Sequence, residues 1–292
     1  MDRGADCGNY VNSFLDKKIR KLKLIYQEHG FVGALLFSMN FLIAKTGWFH
    51  DKWFFGRLVE FRGNVVHLNG CRFRLDSPLF TTAFKSRFIL GRYERKERRV
   101  VRRWLNPSLP VIELGGSIGV VACITNKKLT HPEKHVVVEA NPQLIPLLAA
   151  NRDLNACSFR ILNKALGYAE ESMIFYAHER FSSGGTTRVT DRPISVSATT
   201  LAEIFADAKF EHANLICDIE GAEVELIAHE LETISKKVFQ FIVEVHPSIV
   251  GEEAIHHLRI EIEAVGFRRI RTSVDPYGDV LIFENTNITS SI

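Results

Sequence analysis

Glu113 stands two residues before a glycine-rich run, Gly115-Gly116-Ser117-Ile118-Gly119, at the end of a short apolar segment. Glycines let a backbone approach a ligand closely, and a turn into a helix presents free N–H groups. A dinucleotide fingerprint reads G-x-G-x-x-G, whereas this run reads G-G-x-x-G behind an acid. An acid here repels a pyrophosphate but attracts an ammonium group, although a plain strand-to-helix turn is the alternative. We expect S-adenosylmethionine (SAM) to bind here, with cofactor residues Glu113, Gly115, Gly116 and Gly119.

A second acid, Glu139, ends another apolar segment about twenty residues after the glycines. In nucleotide-binding α/β folds an acid at this distance accepts hydrogen bonds from both ribose hydroxyls. Asn141 follows, directly before Pro142, and proline is favoured at the first position of a helix. We therefore expect Glu139 and Asn141 to belong to the cofactor site.

Further acids and a histidine follow two later apolar segments, in Asp218-Ile219-Glu220-Gly221-Ala222-Glu223 and in Glu244-Val245-His246. The carboxyl ends of central parallel strands face the ligand crevice, so these acids could hold a substrate hydroxyl, a metal or the cofactor amine. The histidine is either a general base or an ordinary hydrogen-bonded residue. Glu223 suits a helix cap better than catalysis. We assign no metal-ligand set; the expected catalytic residues are Asp218, Glu220 and His246, with Asp218 also at the cofactor.

The elements that must position these residues alternate between strand and helix from Pro110 onward. Helices are expected from about residues 142, 221 and 252, between apolar strands at 110–114, 135–139, 159–162, 214–218 and 239–245. Two last strands, 267–272 and 279–284, flank the tight turn 275–278 and form an antiparallel hairpin. This order predicts an α/β fold with a Rossmann-like, doubly wound sheet and an antiparallel C-terminal hairpin, as in class I methyltransferases.

The chain is expected to divide into an N-terminal helical and β-hairpin module, residues 1–105, and a SAM-binding domain, residues 106–292. Within the first, residues 1–56 are predicted helical and residues 57–76 hold three short β-rich runs, with a hairpin turn at Asn69-Gly70. A basic helix over 92–105 follows. Charge supports the division, because residues 1–104 carry a net charge of +12 and the remainder −9.

Composition limits the class of protein and its partners. The chain has 292 residues, 46% hydrophobic and 24% charged, which excludes disordered and collagen-like proteins, and its net charge of +3 argues against nucleic acid as a partner. Five cysteines without a C-x-x-C pair indicate reduced thiols, and so a cytoplasmic protein. The apolar run 31–44 is shorter than the roughly 20 residues of a spanning helix. Residues 17–49 therefore either contact the cytoplasmic face of a membrane or are buried in a domain or dimer; the oligomeric state stays open.

Several stretches occur in the order found in one family, and over residues 91–284 the chain resembles the FkbM family of SAM-dependent methyltransferases. The most specific are D-I-E-G-A-E and the later E-V-H, and Gly91-Arg-Tyr-Glu94 is similar to the family's G-x-Y-E. The others are VIELGGSIG, VEANPQLIPLLAANRDLN, NKALG, SGGTT, TTLAEI and LICDIEGAEVELI. Two positions depart from the family pattern: Cys217 replaces the usual Lys, and Leu201-Ala202-Glu203 replaces L-D-D.

The resemblance implies an O-methyltransferase that methylates a hydroxyl of a sugar, glycolipid or glycosylated metabolite, so that the partner is a small-molecule or glycoconjugate acceptor. It also implies that Asn163 and Ala165 hold the adenine, while the polar loop 182–187 is either a lid or a surface loop. An N-methyltransferase and a non-catalytic SAM-binding scaffold or regulator are the alternatives.

Overall fold

A computed structural model describes residues 51–168, 171–176, 193–271 and 278–288. The predictions for residues 1–50, for the loop 182–187 and for most of the turn 275–278 lie outside these ranges. The chain divides into two compact units, residues 1–93 and 94–292. The basic helix that the sequence assigns to the first module therefore belongs to the second unit.

The first unit contains a hairpin and two helices: α1 (Asp51–Phe61), β1 (Val65–Leu68), β2 (Cys71–Arg74) and α2 (Thr82–Ile89). The hairpin is confirmed, because β1 and β2 pair antiparallel and the turn residues Asn69 and Gly70 have φ angles of 52° and 84°. The predicted β-run over residues 57–61 is wrong, since these residues complete α1. Phe55 and Val59 are both buried, and their separation by four residues is that of one helix face.

The second unit alternates between strands and helices. Its elements are α3 (Arg95–Trp104), β3 (Val111–Leu114), α4 (Val120–Lys128), β4 (His135–Val138), α5 (Ile145–Leu154), β5 (Arg160–Leu162), β6 (Ala165–Leu166), β7 (Ser172–Tyr176), β8 (Pro193–Thr199), α6 (Leu201–Ala208), β9 (Ala213–Cys217), α7 (Glu223–Lys237), β10 (Val238–Glu244), α8 (Pro247–Val250), α9 (Glu252–Ala264), β11 (Phe267–Arg269) and β12 (Val280–Asn285).

The predicted doubly wound sheet is confirmed. Seven strands run in the order β11-β12-β10-β9-β3-β4-β5, and the five from β10 to β5 are parallel to one another. The chain order reverses at β3, which pairs with β4 on one side and β9 on the other, so the crevice lies beyond the carboxyl ends of these strands. β12 pairs antiparallel with β11, as predicted, but also inserts between β11 and β10.

The central strands are apolar because both faces of the sheet are covered. On one face Ile112, Leu215 and Phe241 share a core with α6, α7 and α9. On the other face Ile216 and Ile242 pack with residues of α3 and α4. A second sheet, of order β6-β8-β7, has no counterpart in the sequence-based prediction. No helix among those that the structure describes is long and apolar enough to cross a bilayer.

Candidate active site

A cavity lies at the carboxyl ends of β3, β9 and β10. Gly115 and Gly116 form part of its wall, and apolar side chains such as Ile216 and Ile242 form another part. Five acids also line it: Glu94, Glu97, Glu113, Asp218 and Glu244. The structure thus brings together four predicted site residues, namely Glu113, Gly115, Gly116 and Asp218.

Glu97 is the lining acid that sequence reasoning did not single out. It is 7% exposed on α3, a helix otherwise rich in arginine. A signal was present, because Glu97 shares helical spacing with Tyr93, Val100 and Val101, which are all buried. An acid on the apolar face of a basic helix therefore indicates a polar site beneath that helix.

The glycine turn needs glycine for reasons of space and of backbone conformation. Gly115 has a φ angle of 90°, and a Cβ atom added there would lie 1.8 Å from the carbonyl oxygen of Asp218. A Cβ on Gly116 would lie 2.3 Å from Val137 Cγ1, and one on Gly119 would lie 2.7 Å from Leu148 Cδ1. The glycines thereby let the turn pack tightly against the end of β9, against β4 and against α5. This close packing sets Asp218 beside the turn.

Glu113 is a buried acid on the cavity wall. Its side chain is 2% exposed, and Oε2 accepts no hydrogen bond, lying 3.4 Å from His135 Nε2. Burial raises the pKa of Glu113 to about 8 and lowers the pKa of His135 to about 3, so both groups are uncharged at neutral pH. A positively charged ligand group in the cavity would favour the carboxylate form of Glu113.

Glu139 is held by the backbone of two turns. Its carboxylate accepts hydrogen bonds from the N–H groups of Ser117 at 2.6 Å and Asn141 at 2.7 Å. Burial raises the pKa of Glu139, and these two hydrogen bonds oppose that change. The side chain of Asn163 donates to the Glu139 carbonyl at 2.8 Å and to that of Ala140 at 3.1 Å. The predicted ribose acid is therefore fixed beside the glycine turn.

The other predicted cofactor residues have backbone and packing contacts. Asn141 accepts a hydrogen bond from the N–H of Gln143 at 3.0 Å, and Ala165 packs in a small apolar cluster with Phe175 and Val196. The described lining of the acidic cavity contains neither of these residues, nor Glu139 or Asn163. Glu139 nevertheless adjoins the cavity wall through its hydrogen bond from the glycine turn.

The acidic turn after β9 is organised by Glu223. This side chain is fully buried and accepts hydrogen bonds from the N–H groups of Ile219 at 3.1 Å and Gly221 at 2.9 Å. It also lies 3.0 Å from His246 Nδ1. Glu220 occupies the left-handed region, with a φ angle of 53°, because the turn reverses sharply there. Glu223 thus has the contacts of a structural residue, as its position in the sequence indicates.

His246 lies among three carboxylates. Its Nε2 atom is 3.5 Å from Asp218 Oδ1 and 3.7 Å from Glu220 Oε2, so the three predicted catalytic residues lie together. Burial lowers the pKa of His246, but the hydrogen bond to Glu223 and the charges of Glu223, Asp218 and Glu220 raise it to about 9. The imidazole is therefore protonated at neutral pH and cannot accept another proton. This arrangement favours a charge-pairing role over that of general base.

Two acids facing the cavity hold their protons more strongly than ordinary carboxylic acids. Burial raises the pKa of Asp218, and the charges of Glu220 and Glu97 raise it further, whereas the charge of His246 lowers it. The Oδ1 atom of Asp218 accepts no hydrogen bond. Burial, together with a hydrogen bond to Glu97, raises the pKa of Glu244 to about 12. Burial thus favours the protonated form of Asp218, whereas the charge of His246 favours the carboxylate, the form that a base on the cavity wall requires.

The same cluster could also accept a cation. Asp218, Glu244 and His246 each offer one ligand atom, and these atoms lie within 4.8 Å of one another. Carboxylate oxygens with an imidazole nitrogen are suitable ligands for divalent metals such as Mn²⁺. Sequence analysis assigns no such set, and the structure identifies these three residues as the candidates.

Cys217, at the position where the family usually has Lys, ends β9 and is 1% exposed within the core. Burial raises the pKa of its thiol well above the ordinary value, and the charges of Glu223 and Asp218 raise it further. Cys217 therefore remains a neutral thiol and supplies neither the positive charge of a lysine nor a nucleophilic thiolate.

The order of the strands, the antiparallel β12 and the glycine turn beside Glu139 define a Rossmann-like class I methyltransferase. A model of the methyltransferase FkbM domain matches residues 113–269, more than half of the chain. The chain therefore belongs to the FkbM methyltransferase family and is a SAM-dependent methyltransferase. The residues fit this cofactor, because the turn leaves no space for a Cβ atom at its first two glycines and an acid is fixed next to it.

Several solved structures are similar to this chain at low sequence identity and low TM-score. A precorrin-6y C5,15-methyltransferase from Geobacter metallireducens is 10% identical, covering 72% of this chain and 91% of that one, with a TM-score of 0.41. Fibrillarin from Aeropyrum pernix, with natively bound S-adenosyl-L-methionine, is 9% identical, covering 64% and 71%, with a TM-score of 0.38. TYW2 from M. jannaschii, in complex with AdoMet, is 15% identical, covering 76% and 85%, with a TM-score of 0.35.

The comparisons leave the acceptor undetermined. No curated protein sequence matches the chain. These comparisons give no support to the prediction that excludes nucleic acid as a partner. The family match shows a methyltransferase but does not identify a sugar or a glycolipid as its acceptor.

Proposed function

We propose that the protein transfers the methyl group of SAM to a hydroxyl of a sugar, a glycolipid or a glycosylated metabolite. When bound, SAM supplies an electrophilic methyl group. An alcohol is a weak nucleophile until its proton is removed, so such a transfer needs a base beside the acceptor. The observation that carries the proposal is Asp218, whose Oδ1 atom faces the cavity without a hydrogen bond while positively charged His246 lies 3.5 Å away.

In this proposal the glycine turn and the acids beside it bind the cofactor. Glu139 accepts hydrogen bonds from the ribose hydroxyls, and Asn163 and Ala165 contact the adenine. Glu113 faces the ammonium group and ionises when that group enters, because the added positive charge lowers its pKa. These residues orient the cofactor, and the proton transfer is carried out by the acidic turn after β9.

Asp218 is the proposed base and accepts the proton of the acceptor hydroxyl. Asp218 must be ionised to accept this proton, and the positive charge of His246 favours the carboxylate against the effect of burial. His246 holds Asp218 and Glu220 by charge, while Glu223 fixes the orientation of the imidazole through Nδ1.

The experiment compares hydroxyl and amine acceptors. The purified chain is incubated with methyl-labelled SAM and matched sets of glycosides, glycolipids and primary amines, and S-adenosylhomocysteine and labelled product are measured. We expect label on hydroxylated acceptors. Asp218→Asn should lower turnover by about 100-fold or more while changing SAM affinity far less. Glu225→Gln is the matched control, because it changes an exposed acid in the first turn of α7, and it should retain turnover.

Three results would overturn this proposal. Transfer to amines with no transfer to hydroxyls would identify an N-methyltransferase, for which a neutral amine needs no such base. Near-normal turnover in both Asp218→Asn and His246→Ala would place the base elsewhere. SAM binding without turnover on any acceptor would instead favour the scaffold alternative.

A further inference from the structure

Two cysteines of the second unit lie in contact behind the glycine turn. Cys123 is on the first turn of α4 and is fully buried, whereas Cys157 follows α5 and is partly exposed. The two thiols are within hydrogen-bonding reach of each other, and Cys157 Sγ is also a donor toward the carbonyl oxygens of Cys123 at 3.8 Å and Asn155 at 3.9 Å. The sequence separates these thiols by more than thirty residues, so their contact results from the fold.

The surroundings of Cys157 favour its thiolate. A hydrogen bond with the Cys123 thiol lowers the pKa of Cys157, burial opposes this change, and the charges of Lys127 and Arg152 lower the pKa further. Oxidation by peroxides follows thiolate character and exposure, and a neighbouring thiol can then resolve the oxidised sulfur. Cys157 has the exposure and the charge environment of the attacking thiol, and buried Cys123 is the resolving partner.

A chain of hydrogen bonds connects this pair to the glycine turn. Cys123 Sγ donates to the carbonyl oxygen of Asn151 at 3.6 Å, and the Asn151 side chain, itself fully buried, donates to the carbonyl of Ile118 at 2.9 Å. Ile118 is part of the turn, and a Cβ atom on the next residue, Gly119, would lie 3.9 Å from Cys123 Sγ. A movement of the Cys123 side chain would therefore affect the glycine turn through Asn151 and through its contact with Gly119.

We propose that Cys123 and Cys157 form a reversible, peroxide-sensitive disulfide that weakens SAM binding. The Cys157 thiolate attacks hydrogen peroxide, the O–O bond breaks, hydroxide leaves, and the sulfur becomes a sulfenic acid. The Cys123 thiol then attacks this sulfur; the S–S bond forms, and the sulfenic hydroxyl leaves with the Cys123 proton as water. Bond formation brings the sulfur atoms to about 2 Å and rotates Cys123 Sγ away from Asn151. The Asn151–Ile118 support of the turn is then disturbed.

The test combines chemical mapping with cofactor binding. The full chain is treated with hydrogen peroxide, digested without reduction and examined by mass spectrometry, while calorimetry measures SAM affinity before oxidation, after oxidation and after dithiothreitol. We expect a peptide pair crosslinked through Cys123 and Cys157, an affinity reduced by about tenfold, and recovery of affinity on reduction. Cys157→Ser should bind SAM normally and keep that affinity in peroxide.

Cys71→Ser is the matched control, since it removes a buried thiol of the other unit and should respond to peroxide as the wild-type chain does. Cys123→Ala provides a second variant of the pair and should also resist the loss of affinity. The proposal is overturned if no such crosslinked peptide forms or if Cys157 proceeds to the sulfinic acid alone. It is equally overturned if the disulfide forms while SAM affinity is unchanged. None of these readouts involves an acceptor, so they do not depend on which hydroxyl or amine is methylated.

Discussion

The two halves of the site differ in what holds their acids. Beside the glycine turn, Glu139 accepts hydrogen bonds from two backbone N–H groups, at 2.6 and 2.7 Å. At the acidic turn, Asp218 and Glu220 face a protonated imidazole at 3.5 and 3.7 Å, and Asp218 Oδ1 accepts no hydrogen bond. Backbone donors cannot change their charge, whereas an imidazole and a carboxylate can. The first half is suited to binding a fixed ligand, and the second is suited to moving a proton.

The largest effect should come from the contact that joins the two halves. Gly115→Ala places a Cβ atom against the Asp218 carbonyl and a non-glycine residue at a φ angle of 90°, so we expect a loss of about 2–5 kcal/mol in the free energy of unfolding. Gly251 has a φ angle of 91° with nothing within 4 Å of its added Cβ atom. Gly251→Ala should therefore lose only about 1–2 kcal/mol in urea denaturation. Equal losses would show that the turn does not pack against Asp218.

A slightly smaller loss should follow removal of the buried acid in the chemical half. Glu223→Ala leaves two backbone N–H groups and His246 without their acceptor, and we expect a loss of about 3 kcal/mol in the free energy of unfolding. Glu225→Ala removes an exposed acid from the same first turn of α7 and should change stability by less than about 0.5 kcal/mol. A Glu223 variant as stable as the Glu225 variant would contradict the structural role of Glu223.

The smallest effect concerns the pH dependence of stability. The folded-state pKa of Glu113, about 8, exceeds its ordinary value of 4.5, so its contribution to stability is lost as pH rises through 8. His135 has a depressed pKa, about 3, and changes stability only below its ordinary value of 6.5. Between pH 6.5 and 8, Glu113→Gln should therefore gain about 1–2 kcal/mol relative to the wild-type chain. Parallel stability curves for the two proteins would show that Glu113 is already ionised when folded.

The strands and the glycine turn of the binding half are predictable from the sequence because their signals are local. The spacing of Glu113, the glycines and Glu139 depends on one strand, one turn and the next strand, and the structure places these elements as expected. The hairpin at Asn69-Gly70 is predicted for the same reason, since the φ angles of two residues decide it.

The chemical half is less predictable because its properties depend on distant residues. The protonation of His246 results from Glu223 and two other acids, and Glu97 reaches the cavity from a helix more than a hundred residues before Glu244. The insertion of β12 between β10 and β11 is likewise a pairing that neither strand encodes by itself. The mistaken strand at 57–61 has a different cause, since a five-residue run with three apolar residues is too short to distinguish the periods of strand and helix.

The most direct test measures binding and turnover separately in two variants, one from each half. Calorimetry gives the SAM dissociation constant, and product formation at saturating SAM gives the rate of transfer. We expect Glu139→Ala to weaken SAM binding by about 10- to 150-fold, equivalent to about 1.5–3 kcal/mol, while largely preserving the rate at saturation. Asp218→Asn should show the opposite pattern, with a rate about 100-fold lower and nearly unchanged SAM affinity. If Glu139→Ala lowers the rate while Asp218→Asn weakens binding, the division between a binding half and a chemical half is wrong.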